Sequence, residues 1–340
     1  RSQSLADATR LNRNLFYYQT GFDVAWEMDF WGKYRRGVES EAASMLASVA
    51  DYYSAIVSLT AEVARTYVTI RTYEVLIEEA RQNVKLQEGG LDIPPSRFRN
   101  GATSELDVTQ ATSLLENTRA SVPRLQIGLQ QALNALSTLL GQTTTDTVDA
   151  LLTGPKEIPK APVKVAVGVP AEMLRRRPDV RSAELSAAAQ CARIGVAKAD
   201  LYPSFSLVGS IGLQATTIGG TNHNIFSPHS LVYAAGPQIS WTFLNYGSTK
   251  NEIRVEDARF QRLLVYYRDT VLKAEQEVED ALREFTNSQA TIEFEQRAVA
   301  AAQRSADLSM VEYQEGAADY QRVLDAQRSL LDQQDSLTQA

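Results

Sequence analysis

The stretch YQEGAADYQRVLDAQRSL, residues 313–330, decides the fold of this chain. A long segment with helical periodicity ends at Gly316 and a second such segment begins after it, which predicts two helices joined by a glycine turn. The stretch FRNGATSELDVTQATSLL, residues 98–115, repeats this pattern around Gly101. Matching residues in the two stretches all lie 215 positions apart: Phe98 and Tyr313, Gly101 and Gly316, Ala102 and Ala317, Val108 and Val323, Ala111 and Ala326, Leu115 and Leu330. A constant offset predicts an internally duplicated protein.

The repeat extends beyond the turns. Trp26 matches Trp241 and Gly32 matches Gly247 at the same offset, so the copies cover about residues 17–115 and 232–330. A predicted helix (179–199) and strand (201–215) precede the second copy. We therefore expect a complete first copy to have such a helix and strand before Arg1.

Composition excludes several classes of function. The net charge is −7, so no basic stripe is available for nucleic acid, and no nucleic-acid partner is expected. The single cysteine, Cys191, excludes an intrachain disulfide and a cysteine-based zinc cluster. We find no Ser–His–Asp set, phosphate loop or metal-ligand spacing, so the sequence predicts a protein that is not an enzyme, with no catalytic residue, metal or cofactor.

Three segments alternate between apolar and other residues, as strands do. Residues 21–32, GFDVAWEMDFWG, place Phe22, Val24, Trp26, Met28 and Phe30 on one face. Residues 201–215 and 233–247 show the same alternation, and the second of these segments places Ile239, Trp241 and Phe243 on one face. Flanking aromatic residues are typical of strands that cross a membrane, although a soluble antiparallel sheet gives the same alternation. No run of eighteen apolar residues occurs, so no transmembrane helix is predicted.

Two very long helices are predicted between these strands. Residues 33–88 carry apolar residues at alternating spacings of four and three, a 3.5-residue period typical of coiled coils. Gly89, Gly90 and two prolines are expected to end this helix. A return helix runs to about residue 140, and Pro123 is expected to kink or break it. Residues 248–315 repeat the seam in the same phase.

Each complete half thus contributes two strands with helices hanging from them. Four strands cannot close a barrel, and open sheet edges cannot lie in lipid, so several chains must share one barrel. The predicted fold class is an α+β membrane duct in which long coiled-coil hairpins form an α-barrel joined to antiparallel transmembrane strands of a shared β-barrel. The predicted boundaries are residues 17–32 and 201–247 for the strands and external loop, residues 33–140, 176–200 and 248–340 for the helices, and residues 141–175 for a linker.

Three segments resemble the outer-membrane efflux family (TolC-type), and most closely its lipoprotein drug-efflux (NodT-like) branch. They are WEMDFWGKYRR (26–36), GVPAEMLRRRPDVRSAE (168–184) and the stretch at 313–330. The resemblance implies a homotrimer with a twelve-stranded β-barrel in outer-membrane lipid of a Gram-negative bacterium, an equatorial belt and a periplasmic α-barrel. It also implies docking to a periplasmic adaptor (membrane fusion) protein and to an inner-membrane pump driven by protons. The family's acylated N-terminal cysteine does not occur in this sequence.

The same resemblance implies roles for residues at the two turns. Asp107, Tyr313 and Asp325 match positions of a closed periplasmic gate, Arg328 matches a charged gate position, and Arg322 stands where some members carry an acid. From the residues alone, the preferred interpretation of Asp107 and Asp325 is that they are acids favoured by the dipole at a helix N-terminus. The tip residues that would meet the adaptor are Asn100, Gly101, Ala102, Thr103, Glu315, Gly316, Ala317 and Ala318.

The function implied is a passive exit duct for drugs or other small toxic molecules, the outer-membrane channel of a tripartite efflux pump. Two alternatives stay open. One is an exit duct for a secreted polypeptide in a type I secretion system, and the other is a structural coiled-coil protein without a pore.

Overall fold

A computed structural model describes residues 16–101, 103–142, 152–161, 174–217 and 224–340. Most of these residues are helical. The elements are β1 (Phe16–Met28), α1 (Lys33–Gly90), α2 (Ile93–Arg99), α3 (Glu105–Leu139), α4 (Pro178–Ala199), β2 (Ser204–Thr217), β3 (Leu231–Ser240), α5 (Tyr246–Glu315) and α6 (Tyr320–Gln339). Two compact units result, one formed by Arg1–Ala50 with Asp179–Thr270 and the other by Asp51–Pro178 with Val271–Ala340.

In the first unit, the strands form an antiparallel sheet in the order β1-β2-β3. Residues directly opposite each other share a face, so the register defines the character of each side. One row consists of Phe22, Ile211 and Tyr233, all exposed large side chains. The adjacent row, whose side chains point to the opposite face of the sheet, consists of Asp23, Ser210 and Ala234. The predicted alternation is therefore present, with an exposed apolar face and a face of small and polar residues.

The strands end earlier than the alternation predicted. Phe30 lies beyond the end of β1, and Trp241 and Phe243 lie beyond the end of β3, Phe243 within a short 3₁₀ turn. The reason at β1 is Asp29, whose carboxylate accepts the backbone N–H groups of Tyr34 (3.1 Å) and Arg35 (3.0 Å). This contact satisfies free donors in the first turn of α1 and turns the chain out of the sheet.

Helix α4 packs in the same unit through small side chains. Ala183, Ala187 and Ala192 are buried, so the neighbouring helices can approach closely. The amide Nε2 of Gln190 donates to the backbone oxygen of Glu256 on α5 at 3.2 Å. The predicted helix at residues 179–199 is thus confirmed, and it lies against α5.

The long helices match their predicted bounds closely, with two differences. Helix α1 continues through Gly89 and Gly90, contrary to the prediction that they end it. Pro94 and Pro95 lie in the first turn of α2, where a backbone N–H has no helical partner and proline is therefore tolerated. Helix α3 continues through Pro123 without a break. Because Pro123 is exposed, water can reach the carbonyl group that loses its helical partner.

The predicted coiled-coil seam of α1 is covered over only part of its length. Ile70, Ile77 and Ala80 are buried within the second unit. In contrast, Met45 and Tyr52, which belong to the same seam, are 63% and 62% exposed. The chain alone therefore leaves much of this apolar face open.

A buried arginine fixes the described part of the linker to α1. Arg71 is 1% exposed, and its Nη2 donates to the carbonyl oxygen of Leu152 at 3.2 Å, while its Nη1 pairs with Glu74 at 2.7 Å. Residues 152–161 are thereby attached to the second unit. The short strand predicted near residues 163–169 lies outside the described residues.

Within the described residues, one helical span, Lys33–Arg99, contains an 18-residue window of mean hydropathy 1.2, enough by length and composition to cross a membrane. Only 17% of that window is buried. A single span of this kind is weak evidence for a membrane crossing, and α1 owes its apolar character to the seam.

Candidate functional site

The candidate site lies in the second unit, at the two glycine turns. At the end of α5, Gly316 has φ +80°, its N–H donates to the Tyr313 oxygen (3.1 Å), and the N–H of Ala317 donates to the Glu312 oxygen (2.8 Å). These two bonds make a Schellman motif, which needs a residue in the left-handed region and therefore favours glycine. Gly101 has φ +70°, and its N–H donates to the Phe98 oxygen at 2.9 Å. Both predicted turns are confirmed.

Two of the predicted gate residues meet at this site. The Tyr313 hydroxyl donates to Oδ2 of Asp107 at 3.3 Å, and the Tyr313 side chain is 1% exposed. The hydroxyl of Thr103 donates to the same carboxylate oxygen. Burial raises the pKa of Tyr313, so its hydroxyl keeps the proton that this contact requires. The contact joins the end of α5 to the beginning of α3.

Arg97, on α2, completes the cluster and was not foreseen from the sequence. Its guanidinium carbon lies 4.8 Å from the centroid of the Tyr313 ring, within the range of a cation–π contact. Its Nη1 donates to the carbonyl oxygen of Tyr313 and, at 3.3 Å, to that of Gln314. These carbonyl groups end α5, where a positive charge is favoured by the helix dipole. Arg97, in the first hairpin, thus caps the C-terminal end of α5, in the second.

The duplication offers a signal by which Arg97 could have been found. Its match 215 positions later is Glu312, and the match of Asp107 is Arg322, so the two copies carry this pair with opposite signs. In the second copy, Arg322 Nη1 lies 3.3 Å from Glu312 Oε2. In the first copy, Arg97 and Asp107 both contact Tyr313 instead.

An apolar floor supports these polar contacts. The Tyr320 ring lies edge-on to the Tyr313 ring, with centroids 5.0 Å apart, and is 5% exposed. Burial, with the nearby Tyr313 and Asp107, raises the pKa of Tyr320 to about 12. The buried residues of this cluster are Ala111, Leu114, Tyr313, Tyr320, Val323 and Leu324. Tyr313 is therefore held by packing as well as by hydrogen bonds.

The remaining predicted gate residues lie apart from this cluster. Arg322, Asp325 and Arg328 are exposed on α6. Asp325 accepts a hydrogen bond from Nε2 of Gln321 at 3.0 Å. Arg322 is also paired with Glu312, but exposed contacts of this kind contribute little to stability, so these side chains can exchange their partners for another molecule at little cost.

The alternative interpretation of the two acids as helix-terminal residues holds for one of them. Asp107 lies in the first turn of α3, which begins at Glu105. For Asp325 this interpretation is wrong, because α6 begins at Tyr320 and has no acid in its first turn.

The predicted adaptor-contact residues lie mostly on the surface of the two turns. Those that are exposed are Asn100, Gly101, Glu315, Gly316 and Ala317. Ala318 and Thr103 are half-buried, and Thr103 is engaged with Asp107. Ala102 lies outside the described residues.

Comparison with known proteins relates most of the chain to one family. Residues 1–142 and 169–340 match the family described as "Outer membrane efflux protein". The chain is 31% identical over 317 residues to Nodulation protein T of Rhizobium leguminosarum bv. trifolii, covering 93% of this chain and 67% of that protein. It is 30% identical over 335 residues to the pyoverdine export outer membrane protein OpmQ of Pseudomonas aeruginosa, covering 98% of this chain and 68% of that protein.

Among solved structures, the outer-membrane channel OprN is similar, with a TM-score of 0.86 and 31% identity over 96% of this chain and 77% of that one. The chain spans about two thirds of the length of the curated relatives that it matches. These relatives confirm the predicted branch, the outer-membrane location and the function as an efflux channel, and they do not favour either alternative. The chain belongs to the outer membrane efflux protein family.

Proposed function

We propose that this chain forms the outer-membrane exit duct of a tripartite efflux pump and carries drugs or other small toxic molecules passively out of the cell. The observation that carries the proposal is the contact of Tyr313 with Asp107 and Arg97, which ties two helical hairpins together at their turns. A link made by one packed side chain and its polar contacts can open without unfolding the helices behind it. That is the requirement for a gate.

Assembly as a homotrimer follows from two surfaces that the chain leaves open. Strands β1 and β3 are the edges of the described sheet, and an edge within lipid must pair with another strand. Neighbouring copies supply those strands. In a twelve-stranded trimeric β-barrel each copy contributes four strands, three of which are β1, β2 and β3, and the apolar row of Phe22, Ile211 and Tyr233 faces lipid. The exposed seam residues Met45 and Tyr52 pack in the same assembly against helices of other copies, which form the periplasmic α-barrel.

The internal duplication gives this trimer six turns at one end. Three pairs of observations support it. Strands β1 and β3 begin 215 residues apart, at Phe16 and Leu231, and helices α3 and α6 do so at Glu105 and Tyr320. The turns before α3 and α6 both contain a glycine with positive φ. The described strands, the long helices and the linker then correspond to the barrel, the periplasmic α-barrel and the equatorial belt.

The exposed residues of the turns are the docking surface for a periplasmic adaptor protein, which connects the duct to a proton-driven pump of the inner membrane. Glu315, Gly316 and Ala317 offer a small, exposed surface at which another helical hairpin can approach closely. The exposed charges Arg322, Asp325 and Arg328 belong to the gate through contacts with neighbouring copies, since the chain itself leaves them at its surface.

Ion conductance of the purified protein in planar lipid bilayers tests the duct. We expect a small basal conductance that rises when Asp325 is replaced by alanine, because a gate contact between copies is lost. Absence of any conductance, even after charge removal at both Asp107 and Asp325, would overturn the proposal. An unchanged conductance in Asp325→Ala alone would remove Asp325 from the gate and leave the duct intact.

A further inference from the structure

A cavity of about 230 Å³ lies between α1, α5 and α6 in the second unit, next to the residues that carry Tyr313. Its apolar wall is formed by Leu86, Ala306, Met310, Leu330 and Leu331. An apolar cavity of about 150 Å³ is enough to hold benzene, so this one has room for a ring with a short side chain.

The polar wall of the cavity contains two amide oxygens that have no hydrogen-bond donor among the described residues. Gln87 and Gln327 line it, and the Oε1 atoms of both are buried without a hydrogen-bond partner among the described residues. Gln87 is only 8% exposed. Leaving a buried carbonyl oxygen unpaired costs about 1–3 kcal/mol, so a molecule that donates to these atoms gains that amount on binding.

The cavity wall also contains a carboxylate. Asp307 lines the same cavity and accepts a hydrogen bond from Nε2 of Gln303 at 3.0 Å. A carboxylate has about four acceptor positions, so this single bond leaves room for another donor. Asn83 also lines the cavity, and its amide nitrogen donates to Oε1 of Gln334 at 2.8 Å, while Gln303, on the same wall, is the donor to Asp307.

We propose that this cavity binds a small organic cation, a primary ammonium group carried on a compact apolar body. An ammonium has three N–H donors and no acceptor, which matches two amide oxygens and one carboxylate. The apolar body occupies the side formed by Met310, Leu330 and Leu331. The net charge of −7 attracts such a ligand to the protein.

Binding at this place bears on the gate through the helices that line the cavity. Met310 lies one helical turn before Tyr313 on α5, and Gln327 lies two turns after Tyr320 on α6. A ligand that contacts both helices favours the arrangement in which they are packed together. The cation therefore stabilises the closed state of the link between Tyr313 and Asp107.

The experiment uses the purified, detergent-solubilised protein and 2-phenylethylammonium chloride, followed by calorimetric titration and by the thermal unfolding temperature. We expect saturable binding and a rise in that temperature with ligand concentration. Asp307→Asn and Gln87→Leu should each weaken binding about 10- to 100-fold, the effect of losing a hydrogen bond to a charged group. Gln289→Leu, at an exposed glutamine of α5 outside the cavity, is the matched control and should bind as the unaltered protein does.

2-Phenylethanol, which has the same ring but no charge, should bind at least about 10-fold more weakly than the ammonium. Equal affinity for the alcohol would overturn the assignment of a cation. Absence of saturable binding up to millimolar concentration would mean that the cavity holds water only, and would overturn the site. Because Asp307 is exposed, Asp307→Asn keeps the fold and tests the proposal even where Gln87→Leu does not fold.

Discussion

Replacing Arg97 by alanine should loosen the end of α5 while leaving the long helices intact. The change removes a cation–π contact with the Tyr313 ring at 4.8 Å and the hydrogen bonds to the last carbonyl groups of the helix. A partly buried cation–π contact contributes about 1–2 kcal/mol, and a hydrogen bond from a charged group about 1.5–3 kcal/mol. Since these contributions overlap, we expect a net loss of about 2 kcal/mol, or about 30-fold more frequent local opening.

Amide hydrogen exchange at residues 313–317 measures this opening directly. Arg99→Ala is the matched control, because Arg99 is an exposed arginine in the same helix whose Nε makes only a 3.4 Å contact with the Pro95 oxygen. Arg97→Lys keeps the charge but not the planar fork, so its exchange rates should be intermediate. If Arg97→Ala exchanged no faster than Arg99→Ala, the role given to Arg97 would be refuted.

Three further predictions concern stability. Gly316→Ala should lower the free energy of unfolding by about 1–2 kcal/mol, because φ at this position is +80°. Gly37→Ala should raise the free energy of unfolding, because Gly37 lies inside α1 with open space around it. Denaturant titration of both variants measures these changes. The pKa of Tyr320 is raised to about 12, so the folded state holds the hydroxyl proton more tightly than the unfolded state does. The resulting contribution to the free energy of unfolding is complete below pH 10 and falls by up to about 2.7 kcal/mol as pH rises from 10 to 12. Tyr320→Phe should flatten that part of a stability-against-pH curve, and an unchanged slope would contradict the assignment. Glu79→Gln should raise the unfolding temperature at pH 7, because burial and the neighbouring Asp335 raise the pKa of Glu79 and disfavour its charge. A lower unfolding temperature of this variant would count against that reasoning.

The helices and turns could be predicted from the sequence because their signals are local. The 3.5-residue seam sets the extent of α1 and α5, and Gly101 and Gly316 mark the two turns because glycine adopts a positive φ without the strain that other residues have there. The period of the apolar residues and the need for a positive φ are both determined by residues close together in the sequence. Neither depends on what the helix packs against.

The strand ends and the Arg97 contact could not be predicted because each depends on a partner elsewhere. Alternation continues through Phe30 and Trp241, but the hydrogen bonds that Asp29 accepts from the first turn of α1 end β1 before Phe30. Arg97 lies 216 positions from Tyr313, and nothing in its own neighbourhood indicates that contact. Only the comparison of the two copies, in which Glu312 replaces Arg97, carries a trace of it.

The most direct test of the gate is the open probability of single channels of Tyr313→Phe in planar bilayers, compared with Tyr266→Phe at an exposed position of the same helix. Tyr313→Phe keeps the ring packed on Tyr320 and removes only the hydroxyl that donates to Asp107. We predict a higher open probability for Tyr313→Phe and an unchanged one for Tyr266→Phe. Equal open probabilities for the two variants and the unaltered protein would contradict a gate held by Tyr313 and Asp107.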